Sequence, residues 1–361
     1  MFLPLTPSRL RPIGGGLGLL LHCTALAQPW SRAEPSNFFD LPTAGQTHIR
    51  YYATHPLDRP QPQITRAIIN IHGGARRGSN YFESVTASTA IAGLAETCLV
   101  ITPQFRLAED QPRSGELWWD EDGDWKVGID STAKLPHRVS SFTIADLLLA
   151  KLGDRRLFPN LQTVVLMGHS SGGQFTQRYA ISSGAPDKLP PGVRMRFVVA
   201  NPSSYCYLRP ERIRPGSRYE FWIPPSDEAM TKYNTYKHGP LEPPPYFAGA
   251  NWTEWADRYR QRDVIYLLGT DDIDSMHSGL DTSPGGQAQG PNRLERGRNF
   301  LAYMHKFHAP HNHVLLEVPA VGHEGPRMFS SAAGIRAIFD VIPDIRRVSD
   351  GVPAKPGGKP D

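Results

Sequence analysis

Residues Gly168-His169-Ser170-Ser171-Gly172 place a serine with glycine two positions away on either side, directly after an apolar run over 163–167. That pattern carries chemistry when the chain turns sharply from a strand into a helix. The turn holds the serine in a strained backbone conformation with its hydroxyl exposed, and only small neighbours fit two residues away. The helix that follows favours negative charge near the hydroxyl. Ser171 cannot take the place of Ser170, because its first flank would be His169. The plain alternative is a glycine-rich turn with an inert serine. The strand before it and the helical stretch after it favour a nucleophile.

A serine nucleophile needs a base, an acid to orient that base, and donors for the developing oxyanion. His323 lies on the loop Val318-Pro319-Ala320-Val321-Gly322-His323-Glu324, after the last apolar run and before a helical stretch, where a general base is delivered. The acid is expected between Ser170 and His323 in the chain. Gly269-Thr270-Asp271-Asp272-Ile273-Asp274 follows another apolar run. Asp272, three residues after Gly269, is the first choice, with Asp274 and then Asp271 behind it. His72-Gly73-Gly74-Ala75 ends the run 66–71, and its backbone N–H groups can approach a substrate oxygen. Gly74 is favoured as donor and Ala75 next, together with the N–H of Ser171; a simple tight turn is the alternative.

These residues must be held by a scaffold. Strand-length apolar runs occur at 66–71, 99–103, 163–167, 196–200, 264–268 and 314–318. Helical spacing occurs at 141–153, 172–182, 293–307 and 326–341. Strand–helix alternation requires crossover connections, which predicts an α/β fold with a doubly wound, mostly parallel sheet. One domain is expected over 28–350. Two insertions, 106–138 and 202–261, interrupt the alternation and carry many aromatics and prolines. Both leave the carboxyl ends of strands, where ligands bind in such sheets. Trp118, Trp119, Trp222 and Tyr246 are therefore candidates to wall an apolar acyl or aromatic pocket, the alternative being that they pack the insertions onto the domain. Residues 351–361, rich in Pro, Gly and Lys, read as a frayed tail.

Composition removes other classes. The chain has 361 residues, 39% hydrophobic and 20% charged, enough for a sizeable core. A net charge of +4 without a basic, aromatic-interleaved stripe gives no case for nucleic acid. No uninterrupted apolar run is long enough to span a membrane. Residues 1–27 combine Arg9 and Arg11, an apolar stretch and Ala25-Leu26-Ala27, which reads as a signal peptide cut before Gln28 and a secreted or periplasmic protein. His22 before Cys23 argues against lipidation. Cleavage would leave Cys98 and Cys206, one opening a strand and the other past the end of another, so no bridge is expected. His305, His308, His311 and His313 crowd together without a carboxylate or Cys at ligand spacing, and the acidic run 120–124 lacks the glycine and glutamate of a calcium loop. No metal and no cofactor are expected. Asn251-Trp252-Thr253 is a glycosylation sequon, meaningful only in a eukaryotic secretory host.

Taken together, the motifs at 168–172, 72–74, 269–272 and 322–323 resemble those of the α/β-hydrolase superfamily over roughly residues 48 to 342, with nearest kinship to exported bacterial hydrolases of the esterase type. The resemblance implies that Ser170 attacks a carbonyl, His323 shuttles its proton and Asp272 holds the imidazole tautomer. The turn His-Gly-Gly-Ala departs from the three-glycine form of many carboxylesterases. The expected activity is hydrolysis of a small or polymeric carboxylic ester through an acyl-enzyme. A peptidase or amidase on the same triad, or a catalytically silent binding protein, are the alternatives; oligomeric state is not legible.

Overall fold

All six apolar runs become neighbouring strands. A computed structural model of the chain describes residues 37–41, 47–121, 123–135, 137–225, 230, 232–249 and 251–341. The leader read at 1–27 and the tail read at 351–361 lie outside the described residues. The elements are β1 (Asn37–Asp40), β2 (His48–Ala53), β3 (Arg66–Ile71), α1 (Gly78–Ile91), β4 (Cys98–Pro103), α2 (Ser141–Leu152), β5 (Thr163–His169), α3 (Ser171–Ser182) and β6 (Arg194–Ala200). There follow a short ribbon of β7 (Arg212–Ile213) and β8 (Phe221–Trp222), then α4 (Trp252–Gln261), β9 (Asp263–Gly269), α5 (Pro284–Gln287), α6 (Arg293–Phe307), β10 (His313–Val318), α7 (Gly325–Ser330) and α8 (Ala332–Phe339).

The main sheet runs β1-β2-β4-β3-β5-β6-β9-β10. β1–β2 and β2–β4 are antiparallel, and every later pairing is parallel. Both faces are covered, which is why the parallel strands read as continuous apolar runs rather than alternating ones. Ile69, Leu166, Val199 and Tyr266 meet α2, α3 and α6 on one face. Ile68, Val165, Val198 and Leu267 meet α1, α7 and α8 on the other. Register brings the strand ends into line: Ile71 sits opposite Gly168, His169 opposite Ala200, and Gly269 opposite Val318. The loops after β3, β5, β9 and β10 therefore leave along one edge. Cys98 opens β4 and Cys206 lies beyond β6; both are buried free thiols.

Two departures from the sequence reading have local causes. The helix expected over 326–341 is two helices, because Ser331 is extended (φ −66°, ψ 159°) and its hydroxyl accepts the Gly334 N–H to start α8. Helix α1 was not expected, because its buried face is largely polar and small: Gly78, Ser79, Val85, Ser88 and Thr89. No apolar period marks such a helix. Among the described residues no helix is long and apolar enough to cross a membrane.

Helix α3 is buried along its whole length, polar residues included. Those residues bind the second insertion. Arg178 donates to the Lys237 carbonyl at 2.9 Å, and Gln177 exchanges hydrogen bonds with the Cys206 backbone at 3.0 and 3.1 Å. The loop bearing Lys237 is thereby fixed to the helix that begins beside Ser170.

Candidate active site

Ser170 is the residue between β5 and α3, with φ 60° and ψ −118°. A non-glycine residue with positive φ is strained, and the surroundings must enforce it. Here they do so by close packing. A Cβ on Gly168 would lie 2.4 Å from the Gly172 backbone, and one on Gly172 would lie 2.1 Å from the Ile71 carbonyl oxygen. The Ser170 N–H donates to the Ala200 carbonyl of β6 at 3.0 Å.

The structure brings Ser170, His323 and Asp272 into one chain of hydrogen bonds. His323 Nε2 is 2.9 Å from Ser170 Oγ, and His323 Nδ1 is 2.7 Å from Asp272 Oδ2. With Asp272 ionised, Nδ1 donates to it and Nε2 accepts from the serine hydroxyl. The three candidate acids separate clearly. Asp272 is buried, and its other oxygen faces Arg293 Nη1 at 3.4 Å. Asp271 and Asp274 are exposed; the first pairs with Thr270 and the second accepts the Met276 N–H.

Electrostatics around His323 favour its neutral form. Burial pushes the imidazole below its ordinary value, the hydrogen bond to Asp272 opposes that, and the Arg293 charge adds to it. His169, under the elbow, is buried and held well below its ordinary value, first by that burial. Its ring centroid is 4.5 Å from that of His323, and its Nδ1 meets the Tyr81 hydroxyl at 3.1 Å.

Gly74, Ala75 and Ser171 border the cavity that holds Ser170 and His323. A Cβ on Gly74 would stand 3.0 Å from Ser171 Oγ, so the turn after β3 lies directly against the start of α3. None of the three N–H groups has a hydrogen-bond acceptor among the described residues, which leaves them available to an oxyanion. His72 shapes that turn. Its Nε2 accepts the Phe105 N–H at 3.0 Å, which leaves Nδ1 to donate to the Gly73 carbonyl at 2.9 Å.

The cavity measures about 870 Å³, and polar and apolar surface line it in nearly equal measure. Lys126 reaches it from the first insertion, Ser203 and Lys237 from the second, and His277 to Ser283 from the loop after β9. Asp281 anchors this wall. It lies 2.9 Å from Lys237 Nζ and 2.8 Å from His238 Nε2, and accepts from Ser283 Oγ. Burial opposes its ionisation, but the His238 hydrogen bond and the Lys237 charge hold it well below the usual carboxylate range.

The expectation that Trp118, Trp119, Trp222 and Tyr246 wall the pocket is corrected: none of them borders this cavity. Trp119 lies in the core and donates to the Ile129 carbonyl at 2.9 Å. Tyr246 packs on Phe142 and donates to Asp146 at 2.9 Å. Trp118 stacks with Lys134, and Trp222 with Arg214. Aromatic area in these insertions is used to bury them on the domain. His277, Arg293, Tyr81 and His169 were not singled out from the sequence; the His-Ser-Gly run soon after the acid turn was the available signal. Among the described residues no three His, Cys, Asp or Glu side chains come together as a metal-binding group.

The sheet order and strand ends define the chain as having the α/β-hydrolase fold. It is similar to poly(aspartic acid) hydrolase-1 from Sphingomonas sp. KT-1, with TM-score 0.59 and 21% identity over 85% of this chain and 99% of that one. It is similar to LpqC, a poly(3-hydroxybutyrate) depolymerase from Bordetella parapertussis, with TM-score 0.59 and 20% identity over 87% of this chain and 93% of that one. No family model matches the chain, and no curated protein matches it in sequence.

Proposed function

We propose that this protein is a serine hydrolase that cleaves a carboxylic ester through Ser170, His323 and Asp272. The observation that carries the reading is the unbroken hydrogen-bond chain from Ser170 Oγ through His323 to Asp272, at 2.9 and 2.7 Å. Ser170 attacks the carbonyl as His323 takes its proton, and Asp272 keeps the imidazole in the productive tautomer. The N–H groups of Gly74 and Ser171, with Ala75 adjacent, receive the oxyanion. Collapse expels the alcohol, and water then releases the acid from Ser170. The similar structures are named as hydrolases of two polymers, and the polyester named for one of them supports ester cleavage here. Their names also make a polymeric ester a substrate to test beside small ones.

Ser170→Ala should remove ester hydrolysis while leaving the melting temperature near wild type, because the triad acts as a unit. Loss of activity in Ser171→Ala, with Ser170→Ala still active, overturns the assignment. A panel of esters and peptides given to the purified protein separates an esterase from an amidase. We further propose that the protein is exported after cleavage behind Ala27; an N-terminal Gln28 in material from its native host is the expected finding.

A further inference from the structure

His323 has an imidazole on each side. His169 is buried and engaged with Tyr81. The other, His277, borders the open cavity, with its ring centroid 5.0 Å from that of His323 and the rings at 67°. The tautomer of His277 follows from its partners. Its Nδ1 receives the Gly279 backbone N–H at 3.0 Å and faces Arg293 Nη2 at 3.3 Å. Both of those groups can only donate, so Nδ1 must be the unprotonated nitrogen and Nε2 carries the hydrogen. Among the described residues Nε2–H has no acceptor. Arg293 is fully buried and holds Asp272 with its other terminal nitrogen. One guanidinium thus fixes the triad acid and the orientation of His277 together.

We propose that His277 is a second imidazole of the catalytic cavity, which donates its Nε2–H to the leaving oxygen of the ester. This rests on Ser170 as nucleophile and His323 as proton carrier. The carbonyl oxygen has its own donors at Gly74 and Ser171, on the turn after β3 and the start of α3. The leaving oxygen must come within hydrogen-bond reach of His323 Nε2 to be protonated, which brings it to the imidazole that His277 sets beside that ring. When Ser170 Oγ bonds to the carbonyl carbon, its proton passes to His323. When the carbon–oxygen bond to the alcohol breaks, the electron pair goes to the leaving oxygen, which takes that proton from His323. His277 keeps its own proton throughout and strengthens its hydrogen bond as charge grows on that oxygen.

The test compares two esters of one acid, a nitrophenyl ester with a good leaving group and a methyl ester with a poor one. His277→Asn keeps an acceptor near the Nδ1 position for Gly279 and Arg293 but offers no donor at Nε2; His277→Ala removes both. In each variant kcat/KM for the methyl ester should fall about 10-fold more than for the nitrophenyl ester, the worth of one hydrogen bond formed in the transition state. Fluorophosphonate labelling of Ser170 should persist in both. Equal losses on the two esters in His277→Asn, or no loss on the methyl ester, overturn the proposal. If wild-type Ser170 itself fails to label, the nucleophile reading fails instead, so the two failures are distinguishable.

Discussion

Gly172→Ala isolates the geometry of the elbow from its chemistry. Alanine is the better helix former by about 1 kcal/mol, and position 172 lies in the first turn of α3, so propensity alone predicts a gain. The structure predicts otherwise. The new Cβ would lie 2.1 Å from the Ile71 carbonyl oxygen and 2.7 Å from that of His72, whereas real Cβ atoms essentially never come within 3.0 Å of such a neighbour. Both contacts are backbone atoms, so no rotamer change relieves them. The end of β3 and the start of α3 must separate by about 1 Å, and those two segments carry the proposed oxyanion donors and the proposed nucleophile. A displacement of that size costs about 100-fold in rate. Overpacking costs about 1–3 kcal/mol, partly offset by propensity, so the melting temperature should fall by only a few degrees, about 2–4 °C per kcal/mol at the top of the measured size range. The assay is kcat/KM on a nitrophenyl ester beside a thermal melt. Gly123→Ala is the control, because its Cβ would meet nothing within 4 Å. A Gly172→Ala enzyme within about 3-fold of wild type in kcat/KM would refute the packing argument, since the misplacement it requires would not have occurred.

Further outcomes follow from the same geometry. Asp272→Asn should lower turnover by about 10⁴-fold through loss of the productive tautomer, whereas the same change at the exposed Asp271 or Asp274 should cost little; a severe Asp274→Asn mutant would contradict the hydrogen-bond chain. Acid should destabilise the fold through buried imidazoles. Burial pushes His72 down to about 4 and His313 to about 3. The unfolded chain takes up these protons near pH 6.5. Below that pH it binds more protons than the folded protein, so this stability is complete above about pH 6.5 and is lost as pH falls toward 4. The loss is roughly 2 kcal/mol per buried imidazole by pH 4.5. Thermal melts at pH 7.5 and 4.5 measure it, and an unchanged or higher melting temperature at pH 4.5 contradicts it.

Much of this architecture was legible because parallel strands are buried on both faces. Their runs of Ile, Val and Leu stand out from polar surroundings, and β3, β5, β9 and β10 each end at a glycine-bearing turn. Ser170 was legible for a steric reason, since Gly168 and Gly172 are where nothing larger fits. Asp272 was the first choice from its place three residues after Gly269, and it does meet His323; what was not legible is its dependence on Arg293, which reaches Asp272 from the start of α6. His277 shares that dependence. Helix α1 escaped because it buries serine and threonine, which have no apolar rhythm. The tryptophans misled because aromatic content says that area will be buried, not what will cover it. The insertions do reach the cavity, but with Lys126, Ser203 and Lys237, whose role is set by tertiary placement rather than by any pattern in the chain.

The central claim is that Ser170 is a nucleophile activated by His323. A fluorophosphonate probe followed by peptide mass spectrometry tests it most directly. The account predicts one modified serine, Ser170, with labelling lost in Ser170→Ala and slowed severely in His323→Ala. Absence of labelling in folded wild-type protein, or modification at Ser171 with Ser170 untouched, would contradict it.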